Sequence, residues 1–292
     1  MPLKEAQFYE ILDAGRVKCR LCCHYCIIAP DRFGHCGVRR NIDGRLYTYT
    51  YGRPVAVNID PIEKKPLRQF LPGTMTYSLG TFGCNFHCAN CQNYDISQVG
   101  GAEETLLVPP LIAPEQIVTQ AIENNCPSIS YTYSEPTIFA EYALDIMKLA
   151  RERGLKNIWV SNGFMSPECR REIVPYLDAA NIDLKSFDPE FYLKVCQAKL
   201  EPVLENLQAV KAAGVHLEIT TLIVPTLSDE ERMLKDLAGF IVQELGAETP
   251  WHLLRFSPEA AWKLKQLPAT AQEAIAKAKN LGVLAGLKNI YV

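Results

Sequence analysis

From residue 75 onward, short apolar runs alternate with longer stretches whose apolar residues recur every three or four positions. The runs at 76–82, 128–133, 157–161, 180–184, 215–224, 251–256 and 287–292 predict strands, and the periodic stretches at 114–124, 137–153, 167–178, 189–196, 202–213, 229–245 and 270–281 predict helices. A strand followed by a helix, repeated six or seven times, predicts an α/β fold with a parallel sheet. No Gly-x-Gly-x-x-Gly follows the first strand, which favours a TIM-type barrel, complete or partial, over a doubly wound sheet.

The amino-terminal quarter lacks that rhythm. The first dozen residues, through Leu12, fit a short amphipathic helix, and 16–40 reads as a loop held by metal rather than by a core. Residues 45–60 alternate aromatic or β-branched with polar side chains around Gly52-Arg53-Pro54, the pattern of a hairpin whose first strand opens after Asn41-Ile42-Asp43-Gly44. The run 61–74 has no periodicity and closes on Pro72-Gly73-Thr74, so a boundary is expected there: 1–74 a Cys-rich metal-binding module plus hairpin, 75–292 the barrel.

A chain of 292 residues, 48% of them hydrophobic, can build a large core, which excludes disorder and small disulfide scaffolds. Lys and Arg number 30 against 33 Asp and Glu, so no bulk charge draws the protein to nucleic acid. No apolar run approaches the roughly 18 residues of a membrane span, and the start MPLKEAQFYEIL lacks the order of a signal peptide. A cytoplasmic protein without membrane or nucleic-acid partners is expected.

Eleven cysteines in such a chain point to metal or redox chemistry rather than disulfides. Cys126, Cys169 and Cys196 are scattered and read as buried thiols without a role. Cys84, Cys88 and Cys91 form C-x3-C-x2-C directly after the first barrel strand. Three thiolates on one tight loop suit an iron–sulfur cluster better than structural zinc, which takes four ligands. One iron is then left open to a small molecule, and reductive cleavage of S-adenosylmethionine (SAM) is the radical chemistry such a site supports. Cys19, Cys22, Cys23, Cys26 and Cys36 offer four ligands and a spare. Cys22 fits the C-x2-C spacing, and the quartet Cys19, Cys22, Cys26 and Cys36 would hold zinc or an auxiliary 4Fe-4S cluster. His24 and His35 read as exposed loop histidines, and His87 as solvated or bonded to its loop. Barrel chemistry collects at the carboxyl ends of strands, which here carry Ser134-Glu135-Pro136-Thr137, Ser161-Asn162-Gly163, Asp183 and Lys185, Thr220-Thr221, and His252, Arg255 and Ser257.

The cysteine triad resembles the defining motif of the radical SAM superfamily. In order along the chain, CRLCCHYC, GHCGVRRN, NIDPIEKKPL, FLPG, GTFGCNFHC, CQNYDISQ, YTYSEPTIF, VSNGF, NIDLKSF, EPVLENL, TTLIVPTLSDEE and PWHLLRFSP look like the AmmeMemoRadiSam-system radical SAM proteins, relatives of pyruvate formate-lyase activating enzymes. The resemblance implies a partial (β/α)6 barrel and an enzyme that cleaves SAM at a 4Fe-4S cluster to a 5′-deoxyadenosyl radical, which takes hydrogen from a substrate. It places Glu135 at the SAM amino group, Ser161 and Asn162 near its methionine or ribose, Asp183 facing cationic charge and Lys185 at the methionine carboxylate. Asn90 stands where relatives carry an aromatic beside adenine, and Ser257 where they often have His. Relatives tend to show Pro at the Cys23 position, which again favours the quartet with Cys22. Implied partners are a flavodoxin- or ferredoxin-like electron donor and Memo-like or AMMECR-like proteins, with a protein substrate favoured over a small molecule. Asn90, together with a chain that stops at Val292 before the Cys-containing tail of relatives, motivates a rival: a metal-stabilised binding or electron-transfer protein without SAM cleavage.

Overall fold

A computed structural model describes residues 3–292. Its strands are β1 (Lys4–Glu5), β2 (Tyr9–Ile11), β3 (Val17–Cys19), β4 (Ile27–Ile28), β5 (Arg39–Ile42), β6 (Arg45–Thr48), β7 (Pro54–Pro61), β8 (Met75–Thr81), β9 (Ser128–Tyr131), β10 (Lys156–Ser161), β11 (Ala179–Asp183), β12 (His216–Ile223), β13 (Trp251–Arg255) and β14 (Ile290–Tyr291). The helices are α1 (Tyr94–Ser97), α2 (Glu103–Leu107), α3 (Pro114–Glu123), α4 (Ala140–Glu152), α5 (Pro167–Ile173), α6 (Pro189–Phe191), α7 (Glu201–Ala212), α8 (Glu231–Phe240) and α9 (Gln272–Ala285).

The predicted rhythm folds into one eight-stranded sheet. β8 to β14 pair in chain order and in parallel, while β7 lies antiparallel on β8. β7 and β14 do not pair with each other, so the result is an open barrel of six βα units with two flanking edges. Every residue of β9 is buried and β11 is buried except at Asp183, as expected of parallel strands covered on both faces. The outer cover includes α4, which buries Tyr142, Ile146 and Met147. Small polar side chains bond across neighbouring strands, Thr76 with Ser130 at 2.8 Å and Thr220 to Asn181 at 2.8 Å. Among the described residues no helix is long and apolar enough to cross a membrane.

At the amino-terminal end of the barrel, Glu218 of β12 gathers the connection 61–74. Its carboxylate accepts from the backbone of Arg68 (3.0 Å) and Gln69 (2.8 Å) and bonds His216 (2.9 Å) and His252 (2.5 Å). This corrects the expectation for His252, whose side chain serves this end and not the carboxyl ends of the strands. Ile62 and Leu67 pack with Ile158 and Ala179, so a stretch without periodicity is fixed by a few anchors.

Two further expectations change before residue 74. The first dozen residues form β1 and β2 instead of a helix: β1 pairs with β6, and β2 with β3. A helix that short is marginal alone, whereas strands find partners and still bury Ala6 and Phe8. The hairpin is not 45–60. It is β5 with β6, turning at Asp43-Gly44, where both residues have positive φ (51° and 78°), the signature of a two-residue I′ turn. After Arg53 the chain leaves that sheet and β7 becomes the antiparallel edge of the barrel.

The amino-terminal sheets share one continuous core with the barrel, through Phe8, Val17, Leu21, Val38 and Leu46. Within the seam Arg39 donates two bonds to the Glu141 carboxylate, both side chains being 1% exposed, and Gln7 N donates to the same group at 3.1 Å. Burial raises the Glu141 carboxyl, but Arg39 outweighs it and holds the group below its usual range.

Removing one member of a buried pair strands the other charge. Glu141→Leu and Arg39→Met are each expected to lower unfolding free energy by about 3–5 kcal/mol in anaerobic denaturant titration, and the double variant to recover part of that loss. Glu218 gives an acid limb. Burial raises its carboxyl, yet the histidines and amides hold it down at about 2. A depressed carboxyl stabilises the fold above its unfolded range and loses that contribution as pH falls through about 2, on the order of 3 kcal/mol in all. Glu218→Gln should flatten stability between about pH 4.5 and pH 2; an unchanged acid limb would refute the assignment.

Candidate active site

The loop after β8 carries the triad, and its backbone is held from three directions. Gly83 N donates to Ile96 O (2.9 Å), His87 N to Cys196 O (3.0 Å) and Ala89 N to Val195 O (2.9 Å), while Trp262 N and Lys263 N donate to the carbonyls of Cys91 (3.1 Å) and Ala89 (2.8 Å). Within the loop Phe86 N donates to Cys84 Sγ at 3.3 Å, and Cys91 Sγ lies 3.3 Å from Ser97 Oγ. Gly83 has φ +91°, and a Cβ there would meet Val38 Cγ1 at 2.5 Å and Cys36 O at 2.8 Å. Only glycine lets the amino-terminal module press against the start of the triad.

Cys84, Cys88 and Cys91 line one cavity of about 200 Å³ together with Asn90, Glu135, Ser161, Asn162, Asp183, Lys185 and Thr220. The structure therefore brings every expected residue of this set together. A larger cavity of about 750 Å³, between Tyr51, Arg53, Asp145 and Lys148, lies elsewhere and contains no cysteine.

Glu135 is the fixed point of the wall. Oε1 accepts from Thr137 N (2.9 Å), Thr137 Oγ1 (2.5 Å) and Ser161 Oγ (2.7 Å), and Oε2 from Asn162 N (2.8 Å). Burial raises its carboxyl despite those donors. Ser161 thus spends its hydroxyl proton on Glu135. Asn162 spends its amide on the loop, donating to Asn85 Oδ1 at 2.7 Å and accepting from Phe164 N at 3.0 Å. Opposite, Lys185 donates to Asp183 at 2.8 Å; burial opposes its charge, but Asp183 and Cys88 hold the ammonium well above its usual range. Burial likewise keeps the Cys84 and Cys91 thiols up, whereas Cys88 is lowered, first by a hydrogen bond from Cys196.

Beyond this wall the other strand ends divide. Thr221 donates to Leu184 O at 2.8 Å and accepts from Trp251 Nε1 at 2.9 Å, and Ser257 bonds exposed Glu259 at 2.5 Å. Cys196, given no role from sequence, lies behind the triad; a lone cysteine has no periodicity to mark it.

The second set, Cys19, Cys22, Cys26 and Cys36, lines a small cavity with His35, Arg39 and Ile138. Cys23 is turned away, its thiol donating to Met165 O at 3.3 Å. Among the described residues no three His, Cys, Asp or Glu side chains stand close enough to share one ion. Between the two cavities the histidines correct the exposed-loop expectation. His24 and His35 meet tilted at 4.3 Å between ring centres and His35 and His87 edge-to-face at 4.2 Å, while His24 Nε2 bonds Asn85 O at 2.6 Å. Burial pushes His35 down to about 4 and lowers His24, so both rings are neutral at pH 7.

Three thiols on the first βα loop of an open (β/α)6 barrel, facing a carboxylate and an ammonium, define a class of iron–sulfur barrel enzymes. The chain belongs to the radical SAM superfamily, which matches residues 78–238. It is 44% identical over 291 residues to an uncharacterized protein of Methanocaldococcus jannaschii, covering 99% of this chain and 85% of that one. A pyruvate formate-lyase-activating enzyme of Clostridium pasteurianum is 25% identical over 199 residues, 65% of this chain and 83% of the relative. In fold, SuiB of Streptococcus suis bound to its precursor peptide SuiA superposes with a TM-score of 0.55 at 10% identity, over 79% of this chain and 50% of that one. Membership implies a 4Fe-4S cluster and SAM. The triad fits them: its thiols bind different irons of a cluster and need not share one ion, and the buried Asn85 Nδ2 and Asn90 Oδ1 have no partner within the protein.

Gly83→Ala is expected to cost at least about 1–3 kcal/mol and to lower the iron retained on reconstitution, since Val38 or the loop must give way. Full iron content with wild-type stability would show that the close approach is dispensable.

Proposed function

We propose that this protein is an AmmeMemoRadiSam-system radical SAM enzyme whose cluster is held by Cys84, Cys88 and Cys91. The observation that carries the reading is the convergence of those three thiols with Glu135, Asp183 and Lys185 on one cavity. Cys84, Cys88 and Cys91 would hold the cluster, which when bound and reduced would supply the electron for reductive cleavage of SAM and so for radical hydrogen abstraction from substrate.

The protein's own groups orient SAM. Glu135 Oε2 accepts a single bond, from Asn162 N, and retains a lone pair for the SAM ammonium. Ser161 and Asn162 act mainly through Glu135 and Asn85, fixing the wall and the loop. Lys185 offers protons to the methionine carboxylate, and Asp183 steadies that ammonium and faces the sulfonium charge. Asn90 replaces an aromatic adenine contact with an amide, its unpartnered Oδ1 suited to the exocyclic amine of adenine.

The quartet Cys19, Cys22, Cys26 and Cys36 holds a second centre: an auxiliary 4Fe-4S cluster, whose irons the thiols need not share, or zinc, for which they would have to draw together. Its support is the shared cavity, which the four thiols line together with Arg39. The reductant is a flavodoxin- or ferredoxin-like protein in the cytoplasm. The substrate is a protein, for which the amino-terminal module beside an open barrel and the resemblance to activating enzymes argue; Memo-like and AMMECR-like proteins are the candidate partners.

Alanine at Cys84, Cys88 or Cys91 is expected to abolish 5′-deoxyadenosine formation with dithionite, and Cys126→Ala to leave it intact; a triad variant with full cleavage sinks the reading. Metal analysis of the triad triple variant identifies the second centre: one zinc, or about four irons with cluster absorption, while neither metal rejects it. With a deuterated substrate protein, label should appear in 5′-deoxyadenosine; turnover with small metabolites alone refutes the protein substrate.

A further inference from the structure

Tyr133 lies two residues past the end of β9 and two before Glu135, and it lines the same cavity. Its φ is +73°, a left-handed conformation that an aromatic residue rarely adopts and that persists only where the surroundings enforce it. The enforcement comes from the antiparallel edge strand. Asn58 Nδ2 of β7 donates to the Tyr133 hydroxyl at 2.7 Å, and that hydroxyl donates to Asp60 Oδ2 at 2.9 Å, so it serves as acceptor and donor at once. Lys65, paired with the same Asp60 oxygen at 2.7 Å, lies over the ring, 4.5 Å from its centre. On the barrel side the ring rests against Gly80, where a Cβ would meet Tyr133 Cδ2 at 2.9 Å and Thr132 O at 2.7 Å. Past the turn, Ser134 Oγ donates to Thr81 O at 2.7 Å, and the chain reaches Glu135 with its carboxylate already on Thr137 N and Asn162 N.

We propose that Tyr133 is a positioning residue of the SAM site: latched by Asn58 and Asp60, it holds the end of β9 in the left-handed turn that aims the Glu135 carboxylate into the cavity. The inference rests on the reading of that cavity as the SAM site. It gives β7, which stands outside the βα units, a part in the chemistry, because the latch is carried on that strand. Without the latch the strained turn relaxes toward extended backbone. Only the fraction of molecules that keeps the turn then presents Glu135 correctly, and the apparent affinity for SAM falls by that fraction. The strain of one left-handed residue, set against two ordinary hydrogen bonds, puts the effect at about tenfold. Glycine takes positive φ without strain, so Tyr133→Gly keeps the turn with no latch at all.

In full-length protein reconstituted anaerobically, Tyr133→Phe is expected to keep the wild-type iron content and to weaken SAM binding about tenfold in calorimetric titration. The same variant should speed deuterium exchange at the amides of Thr137 and Asn162, which donate to Glu135. Tyr133→Gly is expected to restore both readouts to within about twofold of wild type, an order that neither lost packing nor a lost ring contact with SAM would produce. Asn58→Ala, on the edge strand and outside the cavity, should move both readouts in the direction of Tyr133→Phe by a smaller factor. Lost iron or unchanged exchange in Tyr133→Phe, or a Tyr133→Gly protein that binds SAM more weakly than Tyr133→Phe, overturns the proposal. Wild-type behaviour of Asn58→Ala overturns the part given to β7. A wild type that protects both amides yet binds no SAM overturns the assignment of the cavity itself, and this inference with it, while the exchange comparison shows separately whether Tyr133 holds Glu135.

Discussion

Arg39 and Glu141 come from opposite sides of the seam between the amino-terminal sheets and the barrel, and neither charge could sit there alone. Desolvating either costs several kcal/mol and is offset only by close, hydrogen-bonded pairing, so the two parts must dock in one register for the pair to form. That register places Cys36 against Gly83 and thereby sets where the triad loop begins. Arg39 also borders the second cysteine cavity. One electrostatic requirement thus orders both cysteine sites, which explains a core that continues across the seam instead of a linker between independent units.

The active-site wall is polar but already arranged. Four hydrogen bonds hold Glu135 before any ligand arrives, and the groups that make them are themselves tied down by Gly163 N on Ser161 Oγ (3.0 Å) and by the Asn162–Asn85 bond. A carboxylate held this way needs little reorganisation when a cation approaches. The contacting rings of His24, His35 and His87 lie between the triad loop and the second cysteine cavity, and burial keeps His24 and His35 uncharged there.

The parallel strands were readable because buried strands leave continuous apolar runs, and the triad because its ligands sit on one short loop. Contacts made by distant partners left no such mark. β1 and β2 are too short to show a period and exist only through β6 and β3. The alternation at 45–60 is that of strands, but which strand each joins depends on the turn at Asp43-Gly44 and the departure at Arg53-Pro54. His252 was misread because strand membership does not reveal which end a side chain serves. The site was legible as a set of residues. That Ser161 and Asn162 support Glu135 was not, because those bonds join segments about 26 residues apart.

The barrel stops at two free edges, and these shape its dealings with other chains. A long, flat, unpaired strand invites another protein to extend the sheet, the first step toward aggregation. β7 is bounded by Pro54 and Pro61, which have no N–H to offer, and its register slips after Pro54, while β14 is only two residues long. A stray strand therefore finds a template closed by prolines and broken by a bulge at one border and almost none at the other. An unclosed barrel can in this way keep its side accessible without becoming adhesive.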